Sequence, residues 1–293
     1  MEWDLPQLRA LAAIADHGTL EAAARHLHVT PSAVSQRLKA LEHSVGAILL
    51  QRTRPARPTE KGRGVLLLAR QMDALTADAT AALDASPDQM PEVRLAVNAD
   101  SLATWVLPAL STVAATVRLT FLREDEEHTA ELLRDGTAMA AVTSQHMPVQ
   151  GCAVEPLGAM RYRPIASPAF LDRWFSDGIT PDTLRRAPVI VFDERDRLQT
   201  NRLLDAGVPW GETPWHTVPA SSQFSEAVRH GYGWGMLPEL EERSWEGIDL
   251  SAVPGSCLAK HDVKLYWQRW TLQTSSLNAV DNAIRSGASR ALL

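Results

Sequence analysis

Only two cysteines, Cys152 and Cys257, occur in 293 residues, and neither has a CxxC neighbour. That excludes a disulfide scaffold and the usual zinc spacings, and leaves each thiol as a small hydrophobe suited to burial. No stretch approaches the ~20 consecutive apolar residues that cross a bilayer, so no membrane partner is expected. The first fifteen residues carry Glu2 and Asp4 where a secretory leader carries lysine or arginine, which makes the cytoplasm the expected location. GxSxG, a Walker loop and HExxH are all missing. Gly231-Tyr232-Gly233-Trp234-Gly235 is glycine-rich but lacks the preceding strand and the phosphate-loop context of a nucleotide site. His26, His28 and His43 have no acidic or thiol companions that would make them metal ligands. The expectation is a protein that is not an enzyme and uses neither cofactor nor metal.

What is present is unevenly distributed. The net charge is −6, yet residues 1–63 hold nine Lys/Arg against six Asp/Glu. Between Arg25 and Arg63 the count is eight against two. Phosphate neutralisation acts over a Debye length, so DNA binding requires a local basic face and not a basic protein. The length suits two or three domains, and 45% hydrophobic with 22% charged residues suffices for real cores.

Leu5, Leu8, Leu11, Ala12 and Ile14 recur at helical spacing and stop at Gly18. Thr19 is placed to cap a second short helix bearing Ala22, Ala23, Ala24 and Leu27. After a turn at His28-Val29, Thr30-Pro31 supplies a cap followed by proline at the first helical position. On this third helix Val34, Leu38 and Leu41 form the inward stripe, which turns Ser32, Ser35, Gln36 and Lys39 outward. Glutamine reads adenine edges, hydroxyls accept or donate to either base, and lysine reaches guanine or phosphate. An ordinary polar surface helix has the same look, so the helix alone does not decide. Gly46 ends it, Ile48-Leu49-Leu50 reads as a strand, and the basic, proline-stiffened loop from Gln51 to Gly62 follows as a wing. Thr30, Ser32, Ser35, Gln36, Arg37 and Lys39 from the helix are therefore candidate DNA contacts. Arg52, Arg54, Arg57 and Lys61 from the wing complete the set.

The run Thr30-Pro31-Ser32-Ala33-Val34-Ser35-Gln36-Arg37-Leu38-Lys39-Ala40-Leu41-Glu42, with Gly46 and Leu49-Leu50-Gln51-Arg52, resembles the DNA-binding signature of the LysR-type transcriptional regulators. Thr19-Leu20 and Leu50 depart from it conservatively, standing where the family usually has Ser-Phe and Phe.

From Val65 through Leu68, Met72, Leu75, Ala79 and Ala82, apolar residues alternate in steps of three and four, with no proline before Pro87. Periodicity leaves two readings open, a helix packed on its own domain or a dimer seam; the resemblance implies pairing through this helix. Residues 86–91 read as a hinge.

Beyond it, Val93 to Val97, Val117 to Phe121, Met139 to Val142, Val189 to Phe192 and Leu265 to Trp267 read as strands. They alternate with helical runs at about 102–115, 126–134 and 224–230, which argues an α/β domain with a mainly parallel sheet. Such folds bind ligands beyond the C-terminal ends of strands, beside helix N-termini. The rule selects Asn98 to Ser101, Arg123 to Glu126 and Pro219 to Gln223. Hydroxyls and free N–H groups suit a carboxylate, and clustered carboxylates suit an amino or guanidinium group, as in a basic amino acid. The same residues are ordinary helix caps, and chemistry alone leaves both readings standing.

Val97 to Trp105, Ser167-Pro168 and Leu265 to Trp270 further resemble the ArgP/LysG/IciA group of that family. Such regulators sense lysine or arginine and activate a basic amino-acid exporter gene; an older description of the group is inhibition of replication initiation. The resemblance implies an effector cleft near Asp100, Ser101 and Thr104, with Ser222 from the third loop. Charge complementarity adds Glu124 and Asp125, and Arg161 is a further candidate for the effector carboxylate.

The expected fold is an N-terminal α-helical winged helix-turn-helix (1–61) and a linker helix (62–88), then a periplasmic-binding-protein-like α/β sensing domain (89–293). That domain is expected to have two subdomains, about 91–160 with 265–293, and about 161–264. Expected partners are double-stranded DNA with two-fold-related half-sites, lysine or arginine, further copies of the chain as homodimer or homotetramer, and RNA polymerase. A different effector, thiol redox sensing and an architectural DNA role are the alternatives.

Overall fold

A computed structural model describes residues 3–51, 53–83, 90–122, 126–241 and 247–293, with the side chains of 126–128 outside the description. Arg52, Glu124, Asp125 and most of the expected hinge therefore lie outside the described residues.

Three helices open the chain: α1 (Leu5–His17), α2 (Leu20–His26) and α3 (Pro31–Val45). Each boundary has a local cause. Gly18 closes α1 in a left-handed conformation, Thr19 accepts a hydrogen bond from the Ala22 N–H, and Thr30 accepts one from the Ala33 N–H. Leu8, Leu11, Ile14, Val34 and Leu41 meet in one core, joined by Leu49, Leu50 and Leu66. Strands β1 (Leu50–Gln51) and β2 (Arg57–Pro58) pair antiparallel as the wing, and α4 (Glu60–Leu83) follows. The wing strand thus begins at Leu50, two residues later than expected, and Ile48 is exposed.

The remainder runs β3 (Glu92–Val97) and α5 (Ala99–Ser101), then through a π-helical turn (Leu102–Val106) into α6 (Leu107–Leu110). Next come β4 (Arg118–Leu122), α7 (Glu126–Asp135), β5 (Ala140–Thr143), the long β6 (Cys152–Ala166), α8 (Pro168–Trp174) and α9 (Pro181–Arg186). They are followed by β7 (Val189–Val191), α10 (Leu198–Asp205), β8 (Trp215–Thr217), α11 (Ser221–Arg229), β9 (Gly235–Pro238), β10 (Ile248–Asp249), β11 (His261–Trp270) and α12 (Ser275–Ala291).

The chain forms two compact units. The first comprises Met1–Val97, Ser111–Glu155 and Trp267–Asn282; the second comprises Asn98–Leu110, Pro156–Tyr266 and Ala283–Leu293. In the first, β3 lies between β4 and β5, parallel to both, with Leu95 opposite Phe121 on one side and Ala140 on the other. In the second, β6 pairs antiparallel with β9 and β10, and β7 runs parallel to β8. Helix α11 lies on this sheet through Phe224, Ala227 and Val228, which pack with Ile165, Ile190 and Leu237. The approach is close enough that a Cβ at Gly235 would stand 2.6 Å from the Phe224 ring. This is the winged helix-turn-helix, linker helix and α/β sensing fold that the sequence leads one to expect.

Two helices start earlier than expected. The one placed near Leu102 begins at Ala99, and the one placed at Phe224 begins at Ser221. Both shifts move residues of the selected loops into first helical turns.

Candidate functional site

The DNA-facing candidates form a surface fixed from behind. On α3, Val34 and Leu41 are fully buried while Ser32, Gln36 and Lys39 are exposed; Ser35, Arg37 and Leu38 are half-buried. The wing is tied to this helix: Glu42 accepts from the Leu49 N–H at 2.8 Å, and the Thr59 hydroxyl donates to the Ile48 carbonyl at 2.8 Å. Arg54, Arg57 and Lys61 are exposed beyond these anchors. Ordered backbone with free cationic ends suits phosphate contact. The Thr30 oxygen serves as the cap of α3, which leaves its hydroxyl proton as the group offered outward.

The second site lies within the second unit and is acidic. Asp100 stands in the first turn of α5. The Tyr162 hydroxyl, from β6, donates to one of its carboxylate oxygens at 2.6 Å, and the Ser221 hydroxyl, from the start of α11, donates to the other at 2.8 Å. Both donors are neutral, so the carboxylate is oriented without its charge being compensated by them.

Two more carboxylates feel it. Asp196 accepts from the backbone N–H groups of Phe192 and Leu198 at 2.8 and 2.9 Å. Burial raises its pKa, those two bonds oppose the rise, and the charge of Asp100 adds to it. Glu241 is pushed up to about 7, chiefly by burial and then by Asp100. Tyr162 is held well above the usual phenol range by burial and the same neighbour, so it remains a donor at neutral pH.

Unsatisfied polar atoms accompany the acids. Ser101 has no exposed surface, and neither its hydroxyl nor the buried Asn98 side-chain oxygen has a hydrogen-bond partner among the described residues. Orphaned buried groups cost stability, so these two atoms near Asp100 in the chain are candidates for partners from a ligand.

Of the expected effector contacts, Asp100 and Ser101 are consecutive residues of α5. Thr104 follows one turn later, but its hydroxyl donates to the Asp100 carbonyl at 2.7 Å and is occupied within the helix. Ser222 is exposed; the serine on Asp100 is its neighbour Ser221, because α11 starts three residues earlier than expected. Arg161 is turned elsewhere. Strand residues alternate in direction, so Tyr162 meets Asp100 while Arg161 forms a two-pronged pair with Asp262, both bonds 2.8 Å. Glu124 and Asp125 lie outside the described residues.

The sequence reading missed Tyr162, Asp196, Ser221 and Glu241. Asp196 sits between β7 and α10, where the strand-end rule applied to the other loops would have found it. Ser221 stood in a selected loop. Tyr162 lies in β6, a strand broken up in sequence by Pro156, Gly158 and Pro164. As for thiols, burial raises Cys152 to about 11 and also raises Cys257, which lowers the thiolate fraction a redox switch requires.

Comparison with known proteins bears on both sites. Residues 5–63 match the bacterial regulatory helix-turn-helix protein model of the lysR family, and residues 88–288 match the LysR substrate binding domain. The lysine export transcriptional regulatory protein LysG of Corynebacterium glutamicum is 41% identical over 290 residues, covering 96% of this chain and 97% of its own. Among solved structures, ArgP from Mycobacterium tuberculosis superposes with a TM-score of 0.85 at 40% identity, covering 98% of each chain. Full-length LysG from Corynebacterium glutamicum with bound effector Arg gives 0.78 at 38% identity over 99% of each chain.

Proposed function

The chain belongs to the LysR family of DNA-binding transcription regulators, and from that premise we propose that it answers to a basic amino acid, L-arginine or L-lysine. The observation that carries the effector reading is the Asp100 carboxylate, oriented by the hydroxyls of Tyr162 and Ser221 with Asp196 and Glu241 in its field. An ammonium or guanidinium group is the ligand chemistry that relieves this charge. Ser101 and the N-terminal turn of α5 suit the same ligand's polar backbone groups, and arginine bound to the LysG relative fits this chemistry. Arg161 is spent on Asp262 and has no part in it.

On this reading the functional domains are 1–61 for DNA, 62–88 as the linker and 89–293 for the effector. The protein acts in the cytoplasm by binding and not by catalysis. Gln36, Ser32, Ser35 and Lys39 read bases, while Arg37, Arg54, Arg57, Lys61 and Arg52 hold phosphates. Two copies pair through α4 to meet two-fold-related half-sites, with a tetramer as a dimer of dimers and RNA polymerase as the downstream partner. The controlled gene is a basic amino-acid exporter, a role supported by the relative LysG, a lysine export transcriptional regulatory protein.

Thermal unfolding of the purified protein against a panel of amino acids, with and without hydrogen peroxide, tests the effector. At a hundred times its Kd, a true effector adds about 2.7 kcal/mol of stability. A shift selective for L-arginine or L-lysine supports the reading. A response to peroxide alone, or to no basic amino acid, overturns the effector and leaves DNA binding intact.

A further inference from the structure

Within the first unit, one guanidinium holds the DNA-binding helices, the linker helix and a turn of the sensing domain together. Arg70 lies on α4 with its side chain 9% exposed. One terminal nitrogen donates to the Asp135 carbonyl at 2.8 Å, to the Asp135 carboxylate at 3.2 Å and to the Thr137 hydroxyl at 2.8 Å. The other pairs with the carboxylate of Asp16, the penultimate residue of α1. Asp16 is shared in turn with Arg94 of β3, at 3.5 Å.

The contact is closely fitted. Gly136 between the two acceptor residues has φ +79°, and a Cβ there would come 3.1 Å from Leu67, 3.2 Å from Trp270 and 3.3 Å from Arg70 itself. About two turns further along α4, Asp78 accepts the backbone N–H groups of Ser275 and Ser276 at 2.8 and 3.1 Å, so the linker helix caps α12. Elsewhere on α4, Asp73 pairs with Arg9 of α1 at 2.7 Å.

The chain runs from one strand of this node directly toward Asp100. Strand β3 contains Arg94, and Asp100 follows its last residue, Val97, by three positions. Val97 is in register with Val142 of β5, the strand entered directly from the turn that holds Arg70.

We propose that Arg70 is the coupling residue of this regulator: by binding Asp16 and the Asp135–Thr137 turn simultaneously, it transmits the state of β3 and β5 to the DNA-binding helices. The planar fork suits this role, because separate nitrogens must serve partners on different elements, which a lysine ammonium does less well. The proposal rests on the reading of the chain as an effector-responsive regulator.

The test compares full-length wild type with Arg70→Met, Arg70→Lys and Asp135→Asn. DNA affinity is measured with and without saturating L-arginine, on a duplex that the wild type selects from a random pool. Arg70→Met should bind L-arginine within about threefold of wild type while the ratio of its two DNA affinities falls toward one, the signature of lost coupling. Arg70→Lys should retain part of the ratio. An unchanged ratio in Arg70→Met overturns the proposal.

Amide exchange without any amino acid separates the two readings. Losing the node should speed exchange about tenfold or more at Gly18 and at Thr137, with α3 amides unchanged. If wild type ignores L-arginine and L-lysine alike, the effector assignment fails and exchange alone decides: unchanged protection at Gly18 and Thr137 overturns the node. Asp135→Asn carries the same two measurements should Arg70→Met fail to fold.

Discussion

Glu241 carries the sharpest consequence of the acidic site. Its pKa stands near 7 in the fold against an ordinary value of 4.5, so between those pH values the folded chain holds more of this proton than the unfolded one. Stability from this group is therefore full below the ordinary value and lost as pH rises through about 7. Cation binding has the opposite slope, because the ionised carboxylate attracts the ligand. L-Arginine should bind about tenfold more tightly at pH 8 than at pH 6, and Glu241→Gln should flatten both curves. Calorimetric titration at the two pH values checks this, and a wild-type affinity that does not move between them would remove Glu241 from the site. The serines give a second contrast. Ser221→Ala frees the Asp100 carboxylate and should weaken binding by about 1.5 kcal/mol or more, whereas Ser222→Ala should leave it unchanged. Equal losses from both variants would refute the assignment of Ser221. Here the sequence was legible to within one residue. Asp and Ser beside a helix start announce a site, but a boundary three residues out exchanges the serine that faces inward for one that faces water.

At the scale of elements, the N-terminal helices were readable because local chemistry decides them. Thr30 caps, Pro31 starts, Gly46 stops, and Val34 with Leu41 sets which face is outward. Strand β6 was not readable, since its fifteen residues include two prolines and a glycine and its stability comes from β9 and β10. Non-local pairing leaves little trace in a local pattern. Recognition helix and wing should also fail differently. Arg54→Ala should weaken binding to all duplexes and reduce the log–log salt slope by about 1, because one phosphate contact is lost. Gln36→Ala should cost about 1–3 kcal/mol at one base pair and leave the slope unchanged. Titrations at several salt concentrations, on the selected duplex and on unrelated DNA, separate the two. Should Gln36→Ala keep full discrimination, α3 presents a different face to the groove.

For the whole molecule, the linker helix has room for both of the roles that its periodicity left open. Its first half packs on its own unit: Val65, Leu66 and Ala69 are buried, and Met72 lies against the same core. Further along the helix one face stays open, with Leu75 44% and Leu83 90% exposed and Ala79 exposed between them. These three residues recur every four positions, so they share one face of α4, and burying that face in a second copy relieves the exposure. Two-fold pairing would also present two recognition helices to two-fold-related half-sites, and the linked second contact multiplies affinity without new base contacts. The double variant Leu75→Lys, Leu83→Lys should therefore sediment as a smaller species than wild type. Its affinity for a duplex with two half-sites should fall about a hundredfold or more, while its affinity for a single half-site stays the same. An unaltered sedimentation coefficient would show that the copies meet elsewhere. A monomer that still bound the double site at full affinity would show instead that the half-sites are read independently.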